Sequence, residues 1–268
     1  FKVALTPGGT PINISSNGGN NRVSSKHVVT LDGTGCVANN VHVYGELACS
    51  ASANSTLTLE QGMVVYSAGH LNLDTSSDGA VTCSVLLNKS HNATVQQIRA
   101  AAPIATEYYG TSAKVTLKGF PRLRYTKLTA GISAGATSCS VTAATGWRTG
   151  DTLLLVTTQS YVNGSTAPKH DTVTNVTVSG TSISWTGGIT NAHAINGYVV
   201  NLTSNCRIAA ENSAYKSSFL LANAAVTCTL YIDNAEFNGM WDSAGNAYGF
   251  SVSNNGNLTC TVSNTVFY

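Results

Sequence analysis

GWRTGDTLLLVTT, residues 146–158, places an apolar strand behind a glycine turn, and two further strands follow at 172–178 and 181–185. The same rhythm runs outward toward the N-terminus through VVTLD (28–32), NVHVYGEL (40–47), STLTLEQGMVVYSAGHLNLD (55–74) and AVTCSVLL (80–87), with Gly, Ser or Asn at the breaks. Helical periodicity is nearly absent. Short glycine-bounded strands in series predict an all-β chain wound as a parallel solenoid, in which each coil buries its interior against the next. Function in such a scaffold lies on a flank or in a loop. Residues 94–109, which include Pro103, are predicted to be a loop crossing one end of the solenoid.

Composition sharpens the class. Only 10% of the 268 residues are charged, against roughly 25% in an average soluble domain, and Ser, Thr, Asn and Gly take their place. A net charge of +2 over this length gives no basic stripe for a nucleic acid. No apolar run reaches the length of a membrane span, and the opening FKVALTPGGT lacks the layout of a signal peptide. The chain starts at Phe1 and stops at Tyr268 within what reads as a strand, so a truncated C-terminus is expected.

The seven cysteines are odd in number. Cys83, Cys139, Cys228 and Cys260 share one setting, a small polar residue on each side and an apolar or β-branched residue beyond it. Alternation along a strand turns such a sulfur to the same face as the apolar flankers, and these four are expected to be small core residues. Cys36, Cys49 and Cys206 sit near turns and are more open to disulfide pairing. No Cys-x-x-Cys or His-rich spacing calls for a metal, no Gly-rich phosphate loop precedes a helix, and no cofactor is expected.

An internal repeat marks the C-terminal third. Residues 226–237 match 258–267 once two residues are skipped, which sets 232–237 on 262–267 at an offset of 30. Asn234 and Asn264 then become equivalent and are expected to stack as a ladder between coils. At roughly 25 residues per coil and ~4.8 Å between strands, about ten coils would give a rod on the order of 50 Å.

Several of these segments together resemble the eight-glycine extracellular domain of fibrocystin-like proteins and of hyaluronan-binding proteins linked to cell migration. The matching pieces are 31–33, 41–47, 57–62, 67–73, 115–119, 134–137 and 146–158, with His193 after the next strands. The resemblance implies a right-handed parallel β-helix in an extracellular or cell-surface setting, and the composition adds a virion surface to the settings expected. The resemblance also implies the eight-glycine-type domain over 28–195 and further β-helix repeats over 196–268, while the stretch before Val28, rich in Gly, Asn, Pro and Ser over 1–22, reads as an N-terminal arm over 1–27. No catalytic role is carried over from the resemblance. The low-charge composition is also similar to that of bacterial surface proteins and phage tail proteins.

Two clusters are candidate sites. Asp233, Glu236 and Asp242 surround Trp241 and form the densest carboxylate group in the chain. Glycosidic cleavage needs an acid, a base or nucleophile, and a ring to stack on, so these are the candidate catalytic residues, with Trp241 as a sugar platform. Solvated turn residues are the plainer reading. Lys114, Lys118, Arg122 and Arg124 form the one basic concentration and could grip an acidic polysaccharide, or could guard a strand edge against aggregation. His170, Asp171, Asn191 and His193 read as loop residues. Sequons begin at Asn13, Asn54, Asn88, Asn92, Asn163, Asn175, Asn201 and Asn257, close to the number that chance gives in a chain so rich in Asn, Ser and Thr. Three functions fit: a structural or adhesive surface solenoid contacting glycans, a polysaccharide-degrading enzyme, or a subunit that assembles with copies of itself into a fibre or larger surface assembly.

Overall fold

A computed structural model of the chain describes residues 4–5, 20–23, 28–66, 68–87, 96–100, 113–158, 169–210, 217–223, 228–239, 250–254 and 258–267. The described residues are all-β, and they divide into two compact units: one formed by 1–120 and 204–268, the other by 121–203. The first unit begins with β1 (Ala4–Leu5), β2 (Asn20–Val23), β3 (Val28–Leu31), β4 (Cys36–Val43), β5 (Glu46–Cys49) and β6 (Ser55–Val65). It goes on through β7 (His70–Asp74), β8 (Cys83–Leu87), β9 (Gln96–Ala100) and β10 (Ala113–Lys118). The second unit holds β11 (Tyr125–Lys127), β12 (Ser138–Ser140), β13 (Leu153–Leu155), β14 (Asp171–Val173), β15 (Thr177–Ser179), β16 (Ser182–Ser184) and β17 (Tyr198–Asn201). Back in the first unit come β18 (Cys206–Ala210), β19 (Ser217–Asn223), β20 (Cys228–Asp233), β21 (Ala235–Asn238), β22 (Phe250–Asn254), β23 (Leu258–Ser263) and β24 (Val266–Phe267).

In the first unit the chain passes back and forth between two sheets. One sheet runs β1-β3-β5-β7-β10-β20-β23, parallel throughout except for the antiparallel β1, and the other gathers β2, β4, β6, β8, β9, β18, β19, β21, β22 and β24 in parallel pairs. Residues 96–100, expected in a loop, form a strand because the backbone of β6 and that of β19 both pair with it. Alternation decides the core. Leu47, Leu71, Val115 and Leu230 are register neighbours and all buried, as are Leu73, Leu117 and Ile232 beside them. In the other sheet Cys36, Leu57, Val85, Ile208 and Phe237 make the matching row. Each buried Leu or Phe withdraws enough apolar surface for about 1.5–3 kcal/mol, and each row spans several coils.

The sulfurs follow this scheme with two corrections. Cys83 is buried as expected but forms a disulfide with Cys49, which ties the end of a strand in one sheet to the start of a strand in the other. Cys260 is exposed: it is in register with the buried Leu230, but no further described strand covers it. Cys36, Cys139 and Cys206 are buried free thiols. Burial pushes the Cys206 thiol up to about 12 and the other two up to about 11, so all three stay protonated at neutral pH. The side chain of Cys228 lies outside the described residues.

The step from the first sheet to the second varies in length. Asn234 alone makes it between β20 and β21, and its φ of 51° is the left-handed turn that Asn tolerates. In the preceding coil the same step, from β10 to β18, is filled by the whole 121–203 unit with its short flanks. Gly119 stands opposite Asn234, and a Cβ there would lie 2.1 Å from the Asn234 carbonyl oxygen, so only glycine fits. The 30-residue offset extends over all of β20 and β23, with Cys228 opposite Leu258 and Leu230 opposite Cys260, so the expected skip of two residues is absent. Asn264 takes the place of Asn234 in the next coil, with the same left-handed backbone at φ 46°. Its Nδ2 donates to Asp233 Oδ1 at 3.1 Å. Six parallel strands, β3 to β23, span roughly 24 Å at the usual strand spacing, shorter than the expected rod because the second unit takes the missing length.

The stretch 146–185, predicted to supply parallel coils, is antiparallel. β13 pairs antiparallel with β14 and β17, and β15 with β16. The physical reason is the link: β15 and β16 are joined by Gly180 and Thr181 alone, with Gly180 at φ 59°, and two residues can close a hairpin but cannot carry a chain back to a parallel start. The expected boundaries at 27/28 and 195/196 do not coincide with the units. Strands β1 and β2 lie within the supposed arm, and residues 196–203 belong to the inserted unit. That unit has its own core of Leu128, Trp147, Leu153, Leu155, Val176, Ile183, Trp185 and Val199.

Candidate carbohydrate-contacting face

Alternation along the first sheet turns one set of side chains into the core and leaves the other on its outer face. Register lines these outer residues up in rows. Glu46, His70, Lys114 and Thr229 form one; Ala48, Asn72, Thr116 and Tyr231 form the next; Asp74, Lys118 and Asp233 form the third. Hydrogen bonds knit the face. Asn72 Nδ2 donates to Glu46 Oε1 at 2.7 Å, His70 Nε2 and the Thr116 hydroxyl are 3.0 Å apart, and Lys118 Nζ lies 4.0 Å from Asp74 Oδ2. The Ser263 hydroxyl donates to Asp233 Oδ1 at 2.8 Å. Burial pushes the His70 imidazole below its ordinary value; the Glu46 carboxylate opposes this and Lys114 adds to it. The ring is therefore neutral at pH 7.

Such a face presents amides, hydroxyls, carboxylates and ammonium groups on a flat backbone, with the exposed Tyr231 ring among them. Two aromatics precede β5 and β7 in the chain. Tyr44 and Tyr66 stack with centroids 4.2 Å apart, and Tyr66 Oη is 3.0 Å from His42 Nδ1. Tyr44 precedes Glu46 by one turn residue, and Tyr66 precedes His70 across a short turn.

The sequence candidates divide over this geometry. Lys114, Lys118 and Asp233 lie on the face. Glu236 does not: it is buried in the second sheet, where its Oε1 is 2.9 Å from Arg207 Nε and its Oε2 accepts from the Ser204 amide at 3.1 Å. Asp233 and Glu236 flank the Asn234 turn and are held by different partners, so they form no open catalytic pair. Trp241 and Asp242 lie outside the described residues.

Arg122 and Arg124 correct the expected basic stripe, because both are buried in the inserted unit. Arg122 Nη1 donates to Asp151 Oδ1 at 2.6 Å, and Asn201 Nδ2 and the Arg148 amide donate to Asp151 Oδ2 at 2.7 and 2.9 Å. Arg124 Nη1 donates to the Thr203 carbonyl at 2.8 Å. Pro121 ends the alternation that carried Lys114 and Lys118 to an outer face, and a guanidinium with a buried carboxylate partner is stable inside.

Asp171 opens strand β14, whereas His193 lies between strands and pairs its backbone with Ile132. They form a buried pair, Nε2 to Oδ2 at 2.9 Å, and the Thr190 and Asn191 amides also donate to the Asp171 carboxylate. Desolvation raises the Asp171 carboxyl, but the bonds from His193, Thr190 and Asn191 together outweigh it and hold it below its ordinary value. A carboxyl depressed in the folded state stabilises above its unfolded pKa of about 4, and this contribution fades as pH falls through the folded value. The thermal midpoint of the inserted unit should therefore drop below about pH 4, and Asp171→Asn should show a smaller drop over the same range. A difference between the two that does not change with pH would contradict this.

Glu46, His70, Asn72, Asp74, Thr116 and Tyr231 were not singled out from the sequence. The signal for His70, Asn72 and Asp74 was the alternation in HLNLD (70–74), where they interleave with two leucines, and Thr116 and Tyr231 alternate in the same way in AKVTLK and CTLYID.

No family model matches the sequence, and no curated protein matches it. Among solved structures, the chain is similar to the tailspike gp61 of Pseudomonas phage phi297, with 12% identity and a TM-score of 0.32 over 86% of this chain and 39% of that one. It is also similar to the Gp54 tailspike of Acinetobacter baumannii bacteriophage AP22, solved in complex with A. baumannii capsular saccharide, with 11% identity and a TM-score of 0.29 over 85% of this chain and 41% of that one. The chain thus spans about two-fifths of the length of each. No helix among the described residues is long and apolar enough to cross a membrane.

Proposed function

We propose that the first unit is a right-handed parallel β-helix of an extracellular, cell-surface or virion-surface protein, and that the outer face of its first sheet binds a glycan. The observation that carries this is the set of rows itself. Asn72, Thr116, Lys118 and Asp233 present donors and acceptors around the Tyr231 ring, and a sugar needs both: polar groups for its hydroxyls and an aromatic face for its CH surface. The Cys49–Cys83 disulfide supports an oxidising compartment. Low overall charge supports a surface that recognises hydroxyls more than it attracts ions.

A polysaccharide array tests the reading. At least one polysaccharide should be retained, and Tyr231→Ala and Asn72→Ala should each weaken its binding by roughly tenfold, about 1.4 kcal/mol, without moving the thermal midpoint. Silence across the array, or full binding by both variants, would sink the proposal. A hydrolytic reading survives on one further observation. Asp74 and Asp233 share a row two strands apart, with Lys118 between them, so two carboxylates stand on one face with their backbones roughly 9–10 Å from each other, and glycosidic cleavage calls for such a pair. Release of reducing ends that stops in Asp74→Asn would favour hydrolysis over binding alone.

A further inference from the structure

The inserted unit carries an unassigned surface of its own. In its four-stranded sheet, ordered β11-β17-β13-β14, Thr126 and Val199 turn inward while Tyr125, Lys127 and Tyr198 turn outward. Tyr125 is 61% and Tyr198 45% exposed, unusual for aromatics with no role in the core. The two rings meet edge to face at 5.9 Å, and Lys127 Nζ lies 5.2 Å from the Tyr198 centroid. β11 ends the sheet in the strand order, and the segment 140–145 bonds along its other side, with the Thr142 amide donating to the Lys127 carbonyl at 2.9 Å, so the Tyr125 and Lys127 backbone is held in place.

The charges of the unit as a whole are one-sided. Between 121 and 203 the sequence holds Arg122, Arg124, Lys127, Arg148 and Lys169 against only Asp151 and Asp171, a net of +3, whereas the rest of the chain is net −1. Both acids are buried and paired. The exposed charge of this unit is therefore positive, carried by Lys127 and Lys169, with Arg148 half-buried.

We propose that Tyr125, Tyr198 and Lys127 form a second binding site that takes an acidic saccharide of the uronate class. A pyranose ring stacks its CH face on the Tyr125 ring, and the sugar carboxylate accepts a charge-assisted hydrogen bond from Lys127. The positive field of the unit adds long-range attraction for such a polyanion. This site lies in a different unit from the sheet face above and does not depend on that reading.

The test uses the full chain at low ionic strength with immobilised polygalacturonate and alginate, dextran and pullulan as neutral controls, and a single-stranded DNA oligonucleotide as a polyanion without uronate rings. A uronate polymer should be retained while the neutral polymers are not, with retention falling steeply at about 0.5 M salt. Tyr125→Ala and Lys127→Ala should each weaken that retention by roughly tenfold, and Ser182→Ala, an exposed position in the unit's other sheet, should leave it unchanged. Because all three side chains are exposed or half-exposed, the thermal midpoints should not move. Failure of both uronate polymers to bind, equal binding of the neutral polymers, or DNA binding that matches uronate binding and ignores Tyr125→Ala would each overturn the proposal.

Discussion

Asp151→Ala should destabilise the 121–203 unit by about 3–5 kcal/mol, because it leaves the Arg122 guanidinium buried without its carboxylate. The same change strips acceptors from Asn201 Nδ2 and from the Arg148 amide, both within one network, so the losses should not add as independent terms. Trp147 and Trp185 belong to this unit's core, and the other tryptophan, Trp241, lies in the first unit's sequence. Urea titration followed by amide exchange should show the early loss confined to 121–203, with protection in β7, β10 and β20 kept. A loss below about 1 kcal/mol, or equal loosening of both units, would mean that the pair does not hold the insert together.

Phe237→Ala should cost the first unit about 3–5 kcal/mol. Phe237 is 1% exposed, sits in register between Ile208 and Phe267, and stacks on Phe267 with centroids 4.9 Å apart. Truncation would open a cavity that flanking coils cannot close, since their backbones are fixed by parallel hydrogen bonds on both sides. Tyr231→Ala, on the outer face of the next strand back, should cost under about 1 kcal/mol. Equilibrium denaturation of the two variants side by side reads the contrast, and similar losses for both would show that the inward and outward faces have been misassigned.

The alternation of polar and apolar residues made the core faces legible. HLNLD and CSVLL place Leu71, Leu73, Val85 and Leu87 inside without any coordinates. What alternation cannot give is which strands are neighbours. Successive coils differ in length, from the single-residue turn at Asn234 to a whole inserted unit, and so the rows of the outer face had no sequence period. The two-residue skip proposed for the last repeat shows the same limit: matching threonines and cysteines pulled the alignment off a register that the backbone keeps at 30 throughout. In the insert, three-residue strands rich in Leu, Val and Ile looked like coils, although the Gly180-Thr181 link already excluded a parallel pairing. Burial of Arg122 and Arg124 was not legible, because their partners Asp151 and Thr203 are distant in sequence.

The glycan-binding face proposed for the first unit requires Thr116 on β10 to lie directly beside Tyr231 on β20, with the inserted unit between them in sequence. Cysteines placed at both positions, in a chain carrying Cys260→Ser, test that adjacency, since neighbouring parallel strands hold Cα atoms about 5 Å apart, within disulfide reach. Mild oxidation of the folded protein should join the two in one chain, with the linked peptides found by mass spectrometry. Linkage that fails in the folded protein, or that forms only after denaturation, would contradict the parallel register and remove the face built on it.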